Sequence, residues 1–152
     1  MKGSYVLLIE LPESRVIQVG RLGLRTFSRG FYAYVGSALN RLGPRIARHL
    51  RAQKKCHWHI DYLLKEASIK QVVICETSDR VECRLAQTLA KELPSVVGFG
   101  SSDCRCSSHL YFAPEPQELE HCVLEAATTL AKPFRLERHP CFSYPGSQVE
   151  RE

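Results

Sequence analysis

Gly30-Phe31-Tyr32-Ala33-Tyr34-Val35-Gly36-Ser37-Ala38-Leu39-Asn40, GFYAYVGSALN, is an aromatic run that stops on small residues. Alternation with a period of two marks a strand, and Tyr32 and Tyr34 share one of its faces. One of them can be core, or both can flank a cleft. Gly36 removes a side chain where a helix must begin or a ligand must come close. The next stretch, RLGPRIARHLR over 41–51, changes to helical spacing. Pro44 suits a first helical turn, and Ile46 and Leu50 form an apolar stripe. Arg45 and His49 are four apart and stack on one helical face. Strand and helix together bring a tyrosine edge and a cationic helix to one place.

Working outward, SYVLLIEL over 4–11 is an apolar run that reads as a buried strand. Pro12-Glu13-Ser14 is a turn, and RVIQVG over 15–20 alternates as a half-exposed strand. RLGLRTFSRG reads as a loop hinged on Gly23 and Gly30. Three short-linked strands imply an antiparallel meander. HWHIDYLLKEA gives a second helix and IKQVVICET a fourth strand. Val81, Leu85 and Leu89 space a third helix. A glycine- and serine-rich loop, PSVVGFGSSDCRCSSH, leads to a short strand, LYFA, and a last helix that Pro116 helps to start. The fold class is α/β (α+β): a small three-stranded antiparallel sheet flanked by helices, with an added strand and a C-terminal helix. A length of 152 residues suits one domain, here 1–133, followed by a loosely held tail over 134–152.

The formal net charge is +5, but its distribution says more. Arg41, Arg45, Arg48, Arg51, Lys54 and Lys55 fall together with His49 and no acid among them. Such a block is either a solvated face or the electrostatic footprint of a phosphate-binding one. No apolar run is long enough to span a bilayer, and the N-terminal apolar stretch reads as a strand rather than a signal peptide. A cytoplasmic location is expected. Seven cysteines, an odd number, fit a reducing compartment better than a disulfide framework. Cys75, Cys83 and Cys122 read as small buried hydrophobes. Cys56, His57 and His59 lie close in sequence, as do Cys104, Cys106 and His109. These residue types can hold zinc, although Cys-x-Cys-x-x-His is not the common knuckle spacing.

The parts around the tyrosine strand suit phosphodiester chemistry. Arg45 can clamp a phosphate oxygen in a forked geometry, and His49 can hold a second oxygen or move a proton. A tyrosine hydroxyl beside cations can relay a proton. Tyr34-Val35-Gly36 with Gly3-Ser4-Tyr5 resembles the paired signature of the GIY-YIG nuclease superfamily. The stretches GFYAYVGSALN, HWHIDYLL and GFGSSDCRCSSHLYF together resemble an uncharacterised prokaryotic branch of it, found alone or fused to DNA-repair domains. The resemblance covers about residues 3–113.

The resemblance implies a three-stranded antiparallel sheet flanked by helices and hydrolysis of nucleic-acid phosphodiesters with one divalent ion, Mg²⁺ or Mn²⁺. It implies Tyr5, Tyr34, Arg45 and His49 as the catalytic set, with Arg45 stabilising the phosphorane. Glu82 is the candidate metal ligand, with Gln87 at the competing position, and Asp103 can supply a further oxygen. Gly36, Ser37, Arg41, Arg48, His57, His59, Ser102 and His109 are the expected nucleic-acid contacts. One departure stands out: 28 residues separate Tyr5 from Tyr34, more than in most members. The expected activity is a structure-specific endonuclease acting on DNA, or RNA, in repair or processing. The alternatives are a non-cleaving nucleic-acid-binding module and a small zinc protein. No membrane partner is expected.

Overall fold

The computed structural model describes residues 3–38, 41–77, 81–102, 104–130 and, for backbone alone, 134–137. Strand β1, Gly3–Leu11, is buried on both faces, which is why its sequence is continuously apolar rather than alternating. The chain then makes a small excursion. Strand β2 (Arg15–Gln18) and strand β3 (Leu24–Phe27) pair antiparallel around a short 3-10 turn at Gly20–Leu22. Strand β4 (Gly30–Ala38) returns beside β1, with Tyr5 opposite Gly36 and Leu7 opposite Tyr34.

Helix α1 (Leu42–Leu50) and the short helix α2 (His59–Leu63) follow, then strand β5 (Ser68–Glu76). Helix α3 (Glu82–Ala90), strand β6 (Leu110–Ala113), helix α4 (Pro116–Leu130) and strand β7 (Phe134–Glu137) complete the order. The main sheet runs β6-β4-β1-β5-β7, antiparallel throughout, so β1 is its centre. No helix is long and apolar enough to cross a membrane among the described residues.

Alternation along β1 sorts its side chains into two cores. Tyr5, Leu7 and Ile9 face Leu42 and Ile46 of α1, Ile60 and Leu63 of α2, and Phe27 of the excursion. Val6 and Leu8 face Leu85 and Leu89 of α3 and Leu119 and Val123 of α4. The molecule is a sheet covered on both faces, and each cover is amphipathic.

The mixed helix and antiparallel-sheet class agrees with the sequence expectation, and three details differ. Five strands form the described main sheet, against an expected three with one added. The expected meander does not form: β2 pairs with residues expected to loop, and β1 pairs with β4 directly. The alternation of LRTF is masked by the glycines on either side of it, which read as loop hinges. Residues 134–137, expected in the loose tail, add β7 to the edge at β5. Residues 138–152 lie outside the described residues.

Candidate active site and metal cluster

A cleft of about 240 Å³ opens on the Tyr5 face of the sheet. Its floor is Tyr5 on β1 with Tyr34, Gly36 and Ser37 on β4. Arg45 and His49 of α1 form one wall, and His57, Trp58 and His59 at the start of α2 another. Glu82 closes it from α3, and Gly100 and Ser102 close it from the loop before β6.

Gly36 is what admits Tyr5. A Cβ there would lie 2.5 Å from the Tyr5 Cζ and hydroxyl oxygen, so a larger residue would expel the ring. The Tyr5 hydroxyl lies 2.7 Å from His49 Nε2. Burial pushes the Tyr5 phenol above its ordinary pKa, while Arg45, within hydrogen-bonding reach, pulls the other way. Burial also raises Tyr34, with Tyr5 and Glu82 adding to it. Both phenols are therefore neutral at physiological pH. Burial lowers the His49 pKa to about 3, so its imidazole is neutral. Which of the Tyr5 oxygen and His49 Nε2 donates is set by the imidazole tautomer. His49 Nδ1 is buried with no hydrogen-bond partner among the described residues.

Arg45 Nη1 donates to the Ser37 carbonyl at 2.9 Å, and its guanidinium lies 4.6 Å from the Trp58 ring centroid. The stack and the hydrogen bond aim a planar cation along the cleft. The Ser37 hydroxyl donates to Glu82 Oε1 at 2.8 Å, and His109 Nδ1 lies 3.1 Å from Glu82 Oε2. Burial opposes the Glu82 charge, but the His109 and Ser37 contacts and Arg45 outweigh it and hold the pKa below the ordinary value. Glu82 is an anion, with its side chain 29% exposed. On the far wall the Gly100 N–H donates to His59 Nδ1 at 2.8 Å, which leaves Nε2 as the protonated nitrogen. Burial lowers the His59 pKa, so this ring is a neutral donor.

Tyr5, Tyr34, Arg45, His49, Glu82, Gly36, Ser37, His57, His59 and Ser102 thus meet in one cleft. Gln87 is exposed on α3 and outside the cleft lining, so Glu82 is the acid that faces the tyrosines. Tyr32 is core, its hydroxyl donating to the Ser28 carbonyl at 2.6 Å.

Three of the expected nucleic-acid contacts do not line the cleft. Arg48 forks onto both Asp61 oxygens at 3.0 Å and also donates to the Lys55 carbonyl, so its donors are spent on scaffold. Arg41 is exposed at the start of α1, outside the cleft lining. His109 is buried behind Glu82 and does not line the cleft. Asp103 lies outside the described residues.

Behind Glu82 sits a group that sequence reading splits apart. The ligand atoms of Cys83, Cys104, Cys106 and His109 all lie within 4.8 Å of one another. Cys83 is half-buried at the start of α3, not a buried hydrophobe as expected. Cys104 Sγ is 3.4 Å from His109 Nε2. Burial and the neighbouring thiols push the Cys106 thiol up to about 12. Three sulfurs and an imidazole are a zinc-type donor set, whereas Mg²⁺ prefers oxygen. Zinc, the lesser of the expected cofactors, is the metal this cluster fits; the expected Mg²⁺ or Mn²⁺ site is Glu82. The signal was the fall of Cys83 one residue after Glu82, at the base of the same helix. Cys56 is not part of the cluster.

Neither the curated proteins nor the solved structures contain a match to this chain. Residues 4–132, which span β1 through α4 and hence every element that lines the cleft or the cluster, match one family. The chain belongs to the family described as Domain of unknown function DUF123.

Proposed function

We propose that this protein is a nuclease of GIY-YIG type that hydrolyses phosphodiester bonds in DNA, reading structure rather than sequence. The observation that carries the reading is the convergence of Tyr5, Tyr34, Arg45, His49 and Glu82 on one cleft. Phosphodiester hydrolysis needs positioning and charge neutralisation more than covalent chemistry. Arg45 offers a fork to the non-bridging oxygens as negative charge builds on them. The Tyr5 hydroxyl, held 2.7 Å from His49 Nε2, can orient and polarise the attacking water. Tyr34 closes the floor beside that hydroxyl, and His59 offers a neutral N–H to the phosphate.

Glu82 fits a divalent ion: it is ionised, partly exposed and keeps free lone pairs on both oxygens. A bound Mg²⁺ or Mn²⁺ would supply charge neutralisation at the leaving oxygen. The non-cleaving module is disfavoured by Glu82 lying in the same cleft as Tyr34 and Arg45.

The test incubates purified protein with labelled branched, damaged and single-stranded DNA and with RNA, in Mg²⁺, Mn²⁺ or chelator. Cation-dependent cutting is expected. Arg45→Ala is expected to slow it by about 10²–10³-fold with the circular-dichroism spectrum unchanged. Binding without cutting under every condition would make the protein a binding module. Undiminished cutting by both Arg45→Ala and Glu82→Ala would end the assignment of roles.

A further inference from the structure

We propose that Cys83, Cys104, Cys106 and His109 bind one Zn²⁺ as a closed tetrahedral centre, and that Glu82 joins this centre to the cleft through His109. A tetrahedral site with zinc–sulfur distances near 2.3 Å needs its sulfurs about 3.8 Å apart. The four donor atoms already lie within 4.8 Å, so small rotamer adjustments close the site. Four protein ligands fill the tetrahedron. A zinc ion that performs chemistry keeps one position for water, so this one is structural.

The ligands come from two places. Cys83 stands in the first turn of α3, and the other three stand in the loop that leads to β6. That loop has little regular structure between Pro94 and His109. Backbone bonds tie it down at intervals, from Gly98 N to the Ser107 carbonyl and from His109 N to the Phe99 carbonyl. A metal would fasten the intervening residues to α3. The same loop carries Gly100 and Ser102 into the cleft.

His109 decides the second half of the proposal. Its Nε2 faces the sulfurs, 3.4 Å from Cys104, and its Nδ1 lies 3.1 Å from Glu82 Oε2, within ion-pair distance but outside hydrogen-bond geometry, so a small turn of either side chain would make the bond. A carboxylate on the far nitrogen is how a metal-bound imidazole is held in the right tautomer and orientation. From Glu82 the line continues to the Ser37 hydroxyl at 2.8 Å, and the Ser37 carbonyl takes Arg45 at 2.9 Å. One carboxylate is therefore shared between the cluster and the cleft. A disulfide is a poor alternative use of the group, because three thiols leave one unpaired. The zinc site stands independently of the nuclease reading; only the effect on cutting rests on it.

The experiment uses the full chain, expressed with zinc and kept reduced. Elemental analysis is expected to give stoichiometric zinc. X-ray absorption on the unaltered protein is expected to give three sulfurs and one nitrogen at the metal. Cys83→Ser and Cys106→Ser are expected to lose the zinc, and Cys56→Ser, outside the cluster, to keep it. Glu82→Gln is expected to keep the stoichiometry and weaken zinc affinity about 10–100-fold in competition with a chelator. Protein that neither contains nor takes up zinc would overturn the proposal. So would oxygen-only coordination, a disulfide among these cysteines under reducing conditions, or undiminished zinc in Cys83→Ser. Unchanged affinity in Glu82→Gln would remove the link to the cleft. Protein with the expected coordination that cuts no substrate supports the site and counts only against the nuclease reading.

Discussion

His49 is 2% exposed, and its imidazole is shielded from solvent by rings on several sides: Tyr5, Tyr34 and Trp58 lie with centroids 5.5, 6.1 and 5.9 Å away. Burial, the largest cause, outweighs Asp61 and lowers its pKa from 6.5 to about 3, with Arg45, Lys54 and Arg48 acting in the same direction. The unfolded chain takes up a proton here as pH falls through 6.5, and the fold resists it until about 3. Stability that is fully present above 6.5 is therefore lost progressively as pH drops towards 3. The slope from this one group is at most about 1.4 kcal/mol per pH unit. His49→Gln is expected to flatten that part of the acid limb in urea midpoints measured across the same window. An unchanged limb would mean that the imidazole is not held neutral. The same neutrality leaves Nε2 free to accept from Tyr5.

Helix α2 has five residues, too few to persist by itself. Asp61 holds it. The carboxylate is buried and accepts from the His57 and Trp58 N–H groups at 2.8 and 2.9 Å and from both Arg48 nitrogens. Removing one member of such a pair strands the other. Asp61→Ala is expected to cost about 3–5 kcal/mol in urea unfolding. It is also expected to loosen Trp58, on which Arg45 and Arg48 stack. Much of this level was legible in the sequence. A continuous apolar run located β1, period-two spacing β4 and period-four spacing α1 with Arg45 and His49, while the resemblance singled out Tyr5 and Tyr34. The role of Arg48 was not legible, because a cation on a basic helix reads alike whether its partner is a phosphate or a carboxylate further along the chain. The sulfur cluster was hidden for a related reason: 20 residues lie between Cys83 and Cys104, and only the fold brings them together. The pairing of β2 with β3 escaped because neither strand takes part in the main sheet.

Across the whole molecule the excess of positive charge, +5, favours a polyanionic partner. Under the proposed function, binding to DNA is expected to weaken linearly in log–log form as salt rises. Arg41 is exposed and Arg48 is locked onto Asp61, so the two should differ in what they contribute. Arg41→Ala is expected to weaken binding equally across sequences and to reduce the salt slope by roughly one, as fluorescence anisotropy at several salt concentrations would read. An unaltered slope would exclude Arg41 from the bound phosphates. The central place of β1 has one more consequence. Its partners, residues 30–38 and 68–76, both leave the ribosome after it. During synthesis β1 waits, apolar on both faces and with unsatisfied edges, until both partner segments arrive. Translation that stalls between those segments leaves β1 exposed as a sticky ribbon, and a holding chaperone would find a grip there.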